Sequence, residues 1–375
     1  MYLPREEENR LFKMTKWKEA LVLIGPRRGG KTSLALRMLE IFEKTGGTGK
    51  YFDLEAIGAP SSALSLAEEI SKVPEGGLIV LDEIQVVPGW IKVVRGEVEQ
   101  GKRKILASGS SASLLSKEIA SSLGGRAVPE TIFPLSYRDA KAWGLKSVMD
   151  YLKTGGYPEC VLRPSEAARL HKLYLELTVL RDVAARKAIR EAKPLSDLAL
   201  LLLSEPGKTI SAKKTSERIG ISQPTFRSFV EALNDAFLIL SVPPFLRSPH
   251  ERIVADARHY AYDTGLQASV SISVQDDFGR RVENIVALEL VRRGYSLSYL
   301  KGADWECDFI AQKAGSPNLA VQVWGGEGKI PEREIRGLVN GVKQIKGEGL
   351  LISMGGVETP FGIMAKKLED WLLET

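Results

Sequence analysis

Sulfur and imidazole are scarce in this chain. It has two cysteines, Cys160 and Cys307, and three histidines. The cysteines lie far apart, with no CxxC pair and no neighbouring pair of histidines, so the sequence points to neither a disulfide framework nor a zinc site. No apolar run reaches the roughly 18 residues that a bilayer span requires. The N-terminus, Met-Tyr-Leu-Pro-Arg-Glu-Glu-Glu, lacks the basic and apolar segments of a signal peptide. The expectation is a cytoplasmic protein in a reducing interior, with no membrane partner. A strong charge imbalance is also missing. The 52 Lys+Arg against 47 Asp+Glu leave a net charge of +5, which permits an acidic partner such as nucleic acid without requiring one. Amides are few, 13 Asn and Gln together, while Glu, Lys and Arg abound, a bias found in hyperthermophiles. What remains is ordinary globular composition, 44% hydrophobic and 26% charged, over 375 residues, enough for roughly two or three domains.

Against this background one stretch stands out. Leu21-Val-Leu-Ile-Gly-Pro-Arg-Arg-Gly-Gly-Lys-Thr-Ser33 runs from an apolar strand through GxxxxGK[ST] into a helix-forming segment. That is a Walker A loop. Its glycines let backbone N–H groups turn inward around a polyphosphate, and the following helix aims its positive end at the same charge. The nucleotide-binding set is Gly25, Pro26, Arg27, Arg28, Gly29, Gly30, Lys31, Thr32 and Ser33, with Lys31 on the β/γ-phosphates and Thr32 on Mg²⁺.

About fifty residues further on, Leu78-Ile-Val-Leu81 ends in Asp82-Glu83, a Walker B pattern. Asp82 is expected to hold Mg²⁺ through water, and Glu83 to orient and deprotonate the water that attacks the γ-phosphate. Lys104 to Ser110 reads as a fourth strand ending in hydroxyls. Ser110 is the candidate γ-phosphate sensor with Ser108 in reserve, although Ser-Gly-Ser-Ser is also a plain turn and helix cap. Arg126, after Gly124-Gly125, is either an arginine finger reaching a neighbour's nucleotide or a surface charge.

The words GPRRGGKTSL, YFDLE, LIVLDEIQ, ILASGSSASLLS, GGR, FPLSYRD, YLKTGGYPE and LRDVAARKAIR resemble the AAA-type P-loop ATPases of archaea and bacteria that carry a winged helix and a C-terminal domain long labelled as of unknown function. The resemblance covers nearly the whole chain. It implies an ATP-binding AAA+ core with strand order 5-1-4-3-2 and association with DNA. A homo-oligomer is expected separately, from the arginine-finger reading of Arg126, since such sites usually lie between subunits.

Residues 137–194 read as a helical lid, with helices over 146–153 and 165–192 around the loop Gly155-Gly-Tyr-Pro158. Arg181 and Asp182 match the family's RDV word, with an ion pair fixing the lid preferred over a nucleotide contact. Arg186, Lys187, Arg190 and Lys193 make a solvated face in preference to a phosphate-facing stripe. Residues 195–265 read as a winged helix-turn-helix. Helices over Leu195–Leu203, Ser211–Ile219 and Ser222–Leu233 surround a turn at Gly220, and Phe237–Leu240 pairs with His259–Tyr262 as the wing. Gln223, Thr225 and Arg227 are candidates for base edges or phosphates, and Lys213 and Lys214 for the DNA backbone. Seven acidic against eight basic residues over 195–262 leave no strong basic footprint.

Residues 266–375 alternate helix and strand in an order that resembles the PD-(D/E)xK nuclease core, ending in a helix over Ala365–Leu373. Glu283 and Asp308 match two carboxylate positions, with Glu306 on the face of Asp308. The last element reads Gln322-Val-Trp324, an amide where a carboxylate is usual and an indole where lysine is expected. Lys313 is the candidate substitute, but it stands on a loop that is not expected to reach the site. A degenerate, non-cutting fold is the expectation.

The chain is therefore expected to be α/β: a P-loop AAA+ parallel-sheet core (1–136), a helical lid, a winged helix and a degenerate PD-(D/E)xK-like domain. ATP and Mg²⁺ are its cofactors and DNA its partner. The rival readings are a slow signalling NTPase that binds protein partners and an ATP-gated nuclease.

Overall fold

A computed structural model describes residues 3–110, 123–185, 187, 189, 191–246, 248, 255–271, 278–326, 330–356 and 363–374. These fall into two compact units, Met1–Pro134 with Asp235–Phe237, and Leu135–Asn234 with Leu238–Thr375.

The first unit is built on a parallel sheet of β1 (Ala20–Ile24), β2 (Gly49–Asp53), β3 (Leu78–Asp82), β4 (Lys104–Gly109) and β5 (Ala127–Thr131). The spatial order is β2-β3-β4-β1-β5, and every pairing is parallel. β1 and β3 are buried along their whole length, as the unbroken apolar runs ALVLI and LIVL require of strands covered on both faces. The helix Lys31–Lys44 covers the sheet with Leu34, Ala35 and Met38, which pack on Leu21, Leu23, Leu78 and Leu106. Consecutive strands β3 and β4 pair directly, whereas β1 lies between β4 and β5, so the order reverses around β1. That reversal opens a crevice beyond the carboxyl ends of the strands.

β2 begins two residues earlier than the Tyr51–Glu55 segment that propensity suggests. Gly49 pairs with Leu78, and a Cβ there would come within 2.9 Å of the Leu78 carbonyl oxygen. Close approach, not a turn, is what this glycine serves.

The second unit opens with the helices Tyr137–Ala142, Val148–Thr154, Pro158–Leu162 and Ala167–Leu177. Its GGYP loop is held from a distance. The Gly156 N–H donates to Asp263 at 2.6 Å, and the buried His171 ring nitrogen Nε2 lies 2.8 Å from the Thr154 carbonyl and 3.6 Å from Asp263. The single helix expected over 165–192 is not formed. It stays α-helical to Leu177 and continues as a π-helix over Thr178–Ala185. The wider turn lets Thr178, Val179, Asp182, Val183 and Ala184 all point inward. Arg181, Lys187 and Lys193 are exposed, whereas Arg186 and Arg190 lie outside the described residues.

The helices Ala192–Ser204, Ala212–Ile219 and Gln223–Asp235 follow, the second capped by Ser211 and ended by Gly220 at φ +73°. The Ser222 hydroxyl accepts the Thr225 N–H at 3.2 Å and so caps the third. β6 (Ile239–Val242) and β7 (Arg258–Ala261) then pair antiparallel. The first of these strands starts later than the Phe237 expected from apolarity, because Phe237 adopts φ +54°. A buried aromatic in that conformation belongs to a turn.

A five-stranded sheet completes the unit: β8 (Ser296–Lys301), β9 (Glu306–Gln312), β10 (Leu319–Trp324), β11 (Glu348–Ser353) and β12 (Ile363–Lys367), in the order β12-β11-β10-β9-β8. β8, β9 and β10 are antiparallel, and β10, β11 and β12 parallel. The helix Phe278–Arg292 packs Val282, Val286 and Leu290 into the core with Phe309 and Val321, and the helix Glu332–Ile345 places Leu338 among Cys307, Ile310 and Leu351. The helix expected over Ala365–Leu373 is replaced by β12 and a short helix, Leu368–Leu373. Pairing with β11 overrides the helical preference of Ala-Lys-Lys, and two lysines suit an edge strand.

Candidate nucleotide-binding site

The loop Gly25–Gly30 leaves the carboxyl end of β1 and enters the helix at Lys31. Gly25 has φ +147°, and a Cβ there would sit 2.1 Å from the Ile132 carbonyl oxygen, so no other residue fits this turn. Gly29 closes on Pro26 with an N–H···O bond of 3.1 Å, and Gly30 at φ +96° starts the helix. Gly25, Pro26 and Gly29 are buried, whereas Arg28, Thr32 and Ser33 are exposed. Arg27 forms a 3.6 Å ion pair with Glu55. Lys31 is buried, and its ammonium donates to the carbonyls of Gly25 and Pro26, each at 2.9 Å.

Asp82, at the end of β3, gathers three hydroxyls. Thr32 Oγ1 donates to Oδ2 at 2.8 Å, Tyr51 donates to the same oxygen at 2.9 Å, and Ser108 donates to Oδ1. Burial and the Asp82 charge push the Tyr51 phenol well above its ordinary pKa, which keeps it a donor. Glu83 follows in a left-handed conformation, φ +53°, a backbone state that costs a non-glycine residue about 1–3 kcal/mol. Its N–H donates to Ser108 Oγ at 3.2 Å, and its carboxylate accepts from the Gln85 amide. Ser108 is thus committed to Asp82 and Glu83. Ser110 Oγ is buried and has no hydrogen-bond partner among the described residues.

Arg126 is not part of this cluster. The carbonyl of Arg126 accepts from Ala20, the first residue of β1, so Arg126 lies at the amino end of the sheet, opposite the loop. Its guanidinium pairs with Glu99 at 2.9 Å.

Arg5 escaped the sequence reading. Its buried guanidinium donates to the Gly29 carbonyl at 2.9 Å and to the Phe133 carbonyl at 2.8 Å, tying the phosphate-loop backbone to the segment after β5. Tyr51 escaped as well, although a lone tyrosine before Phe-Asp on an edge strand was the available signal.

The other predicted residues lie in the second unit. Lys213, Lys214, Gln223 and Arg227 are exposed, and Thr225 is half-buried with its hydroxyl 2.8 Å from Ser222 Oγ inside the helix cap. Asp308 and Gln322 are buried side by side, and Glu283, half-buried, lies near enough for its charge to act on Asp308. Asp308 accepts the Val323 N–H at 2.9 Å, and Gln322 Oε1 accepts the Asp308 N–H at 3.4 Å while its amide donates to Glu334 at 2.6 Å. Burial, then the charge of Glu283, raises the Asp308 pKa well above the usual range, and burial raises that of Glu283. Lys313 donates to the Arg293 carbonyl at 2.8 Å. Among the described residues Trp324 Nε1 is buried without a partner, and no three His, Cys, Asp or Glu side chains are grouped to hold a metal.

A parallel sheet with a glycine loop and Lys31 at the end of β1, and Asp82-Glu83 at the end of β3, defines a P-loop nucleotide-binding protein. The AAA domain family matches residues 18–141, and a domain of unknown function matches residues 145–276. The chain is 30% identical to an uncharacterized protein of Haemophilus influenzae, over 84% of this chain and 86% of that one. It is 31% identical to an uncharacterized protein of Methanocaldococcus jannaschii, over 87% and 79% of the two chains. It belongs to the family of these proteins, P-loop chains of the AAA type. Among solved structures, AMPPCP-bound DnaA from Aquifex aeolicus aligns over 62% of this chain and 89% of its own at 14% identity, with a TM-score of 0.32, too low to bear on fold or function. No described helix is long and apolar enough to cross a membrane.

Proposed function

We propose that the first unit binds Mg-ATP and hydrolyses it, and that the second converts nucleotide state into contact with DNA through a helical lid (137–194), a winged helix-turn-helix (195–265) and a degenerate, non-cutting PD-(D/E)xK-like domain (266–375). One observation carries the hydrolytic part: the Thr32 hydroxyl and the Asp82 carboxylate are 2.8 Å apart, with Glu83 next in the chain. Thr32 and Asp82 are hard oxygen donors suited to Mg²⁺, and a Mg²⁺ held there would place positive charge on the β- and γ-phosphate oxygens. Lys31 exchanges its two loop carbonyls for phosphate oxygens, and the N–H groups of Gly30 to Ser33 face the same charge. Glu83 orients a water in line with the γ-phosphorus and accepts its proton as the bond to the bridging oxygen breaks. Ser110, whose hydroxyl has no partner among the described residues, reads the γ-phosphate.

A homo-oligomer belongs to this proposal. Arg126 sits at the sheet end opposite its own loop, so as a finger it serves a neighbour's nucleotide. For DNA, support comes from exposed Lys213, Lys214, Gln223 and Arg227 on a helix-turn-helix. The test is the ATPase rate of a sample of known mass with and without single-stranded, duplex and branched DNA. Stimulation by DNA is the expected result. Turnover indifferent to DNA, with a protein partner recovered, moves the reading to a signalling NTPase.

A further inference from the structure

The acidic cluster of the second unit needs a counter-charge. Glu283 comes from the helix Phe278–Arg292 and Glu306 and Asp308 from β9; Asp308 is buried, Glu283 half-buried and Glu306 partly exposed. Carboxylates so placed are costly unless a cation or hydrogen-bond donors reach them. Two of the side chains that do so come from β7. Arg258, 3% exposed, sets Nη1 3.9 Å from Glu283 Oε1 and Nη2 against Glu306 Oε1, with its guanidinium 4.3 Å from the centre of the Tyr299 ring. Two residues on and on the same face of the strand, Tyr260 donates to Glu283 Oε1. Asn284, next to Glu283, exchanges two hydrogen bonds of 2.8 Å with the Ala261 backbone. The β6–β7 ribbon also continues into the larger sheet, the Phe245 N–H donating to the Tyr299 carbonyl at 2.7 Å and the Tyr299 N–H to the Pro243 carbonyl at 3.0 Å.

We propose that Arg258 is the resident cation of this pocket: it stands between Glu283 and Glu306 beside Asp308, keeps these carboxylates from gathering around a metal ion, and clasps the β6–β7 ribbon to the five-stranded sheet. A guanidinium suits the role because it stays charged across the accessible pH range and bonds carboxylates through a fork of donors. One tethered positive charge supports fewer anions than a divalent ion, and the amide at Gln322 removes an anion from the same cluster. The clasp rests on contacts within the second unit and is independent of the ATPase reading.

The test uses nucleotide-free full-length protein and Mn²⁺, followed by electron paramagnetic resonance and by melting temperature. The parental protein should hold no Mn²⁺ that Asp308→Asn removes, and EDTA should not move its melting point. Arg258→Ala should gain one equivalent of Mn²⁺, lost again in Arg258→Ala/Asp308→Asn, and Mn²⁺ should restore part of its lost melting temperature. Should Arg258→Ala fail to fold, Arg258→Gln, which keeps length and hydrogen bonding without the charge, takes its place in every arm. Parental Mn²⁺ binding abolished by Asp308→Asn overturns the proposal, and so does a folded Arg258 variant that binds no Mn²⁺ at this cluster.

Discussion

The Thr32 hydroxyl lies 2.8 Å from Asp82 Oδ2, joining the first turn after the glycine loop to the end of β3. Fifty positions apart in sequence, the two residues share one oxygen, and Tyr51 shares it with them. Binding and hydrolysis are therefore assigned to different side chains of one cluster and should separate on mutation. Lys31→Ala removes a charge-assisted contact worth about 1.5–3 kcal/mol, so ATP affinity should fall by about 10–150-fold. Glu83→Gln should keep ATP binding and lower kcat by about 10²–10⁴-fold, the usual contribution of a general base. Equilibrium binding of a fluorescent ATP analogue, read beside steady-state turnover, checks both. Glu83→Gln protein turning over at the parental rate would sink the catalytic assignment.

Arg5 presses on the same site from behind. Its two donors hold backbone carbonyls 24 and 128 residues away, and hydrogen bonds from a charged donor contribute about 1.5–3 kcal/mol each. Arg5→Ala should lower the melting temperature of the nucleotide-free protein and raise KM for ATP, with a smaller effect on kcat. Arg5→Lys should rescue little, since an ammonium lacks the planar fork. Unchanged KM in Arg5→Ala would reduce Arg5 to a packing residue.

Contiguity separates what could be read in the sequence from what could not. Gly25 to Ser33 and Leu78 to Glu83 are unbroken words in which backbone turn, charge and proposed metal ligand follow one another, so the front of the candidate site was legible. Arg5 was not, because its acceptors are main-chain carbonyls, which leave no trace in residue identity. Arg258 was hidden differently. A single arginine before His-Tyr-Ala looks like a strand end, and only the fold brings Glu283, Glu306 and Tyr260 around it. The same limit explains the strand Ile363–Lys367, where pairing with β11 overrode local preference, and the late start of β6, where one residue at positive φ moved the boundary.

For DNA, interactions with phosphate dominate the proposal, so binding should weaken steeply with salt. Changing Lys213, Lys214 and Arg227 together to alanine should lower affinity and flatten the slope of log K against log salt by about 2–3 units, near 0.9 for each phosphate that is no longer neutralised. Fluorescence anisotropy over a salt series measures this. An unchanged slope moves the DNA surface away from these helices.

Cleavage should be absent. In-line hydrolysis of a phosphodiester requires a firmly held metal and a group that prepares water. Gln322 bonds Glu334 through its amide, and Lys313 is tied to the Arg293 carbonyl. Each missing electrostatic contributor costs on the order of 10²–10³ in rate. Incubation with single-stranded, duplex and branched DNA in Mg²⁺ or Mn²⁺, with and without ATP, should leave every substrate intact. Cutting that disappears in Asp308→Ala would show a live site.

Acid should loosen the second unit through His259. Its ring is buried on β7, Nδ1 lies 2.8 Å from Ser241 Oγ, and burial lowers its pKa to about 4 from 6.5. In the unfolded chain the ring protonates near pH 6.5, whereas in the folded chain it resists until near pH 4. Below pH 6.5 the unfolded state thus binds more protons, and stability is lost as the pH falls. The contribution is fully present above pH 6.5 and gone below pH 4, with a span of about 3 kcal/mol at 1.36 kcal/mol per unit. Glu283 and Asp308 have raised values and act with the opposite sign, gaining stability on acidification. The histidine's share is therefore the difference between two curves. Urea unfolding of the parental protein and of His259→Asn, which keeps a polar group beside Ser241 but does not titrate, should diverge between pH 6.5 and 4, with the parental curve falling faster. Parallel curves through that window would mean that the ring is protonated in the folded protein and already paired.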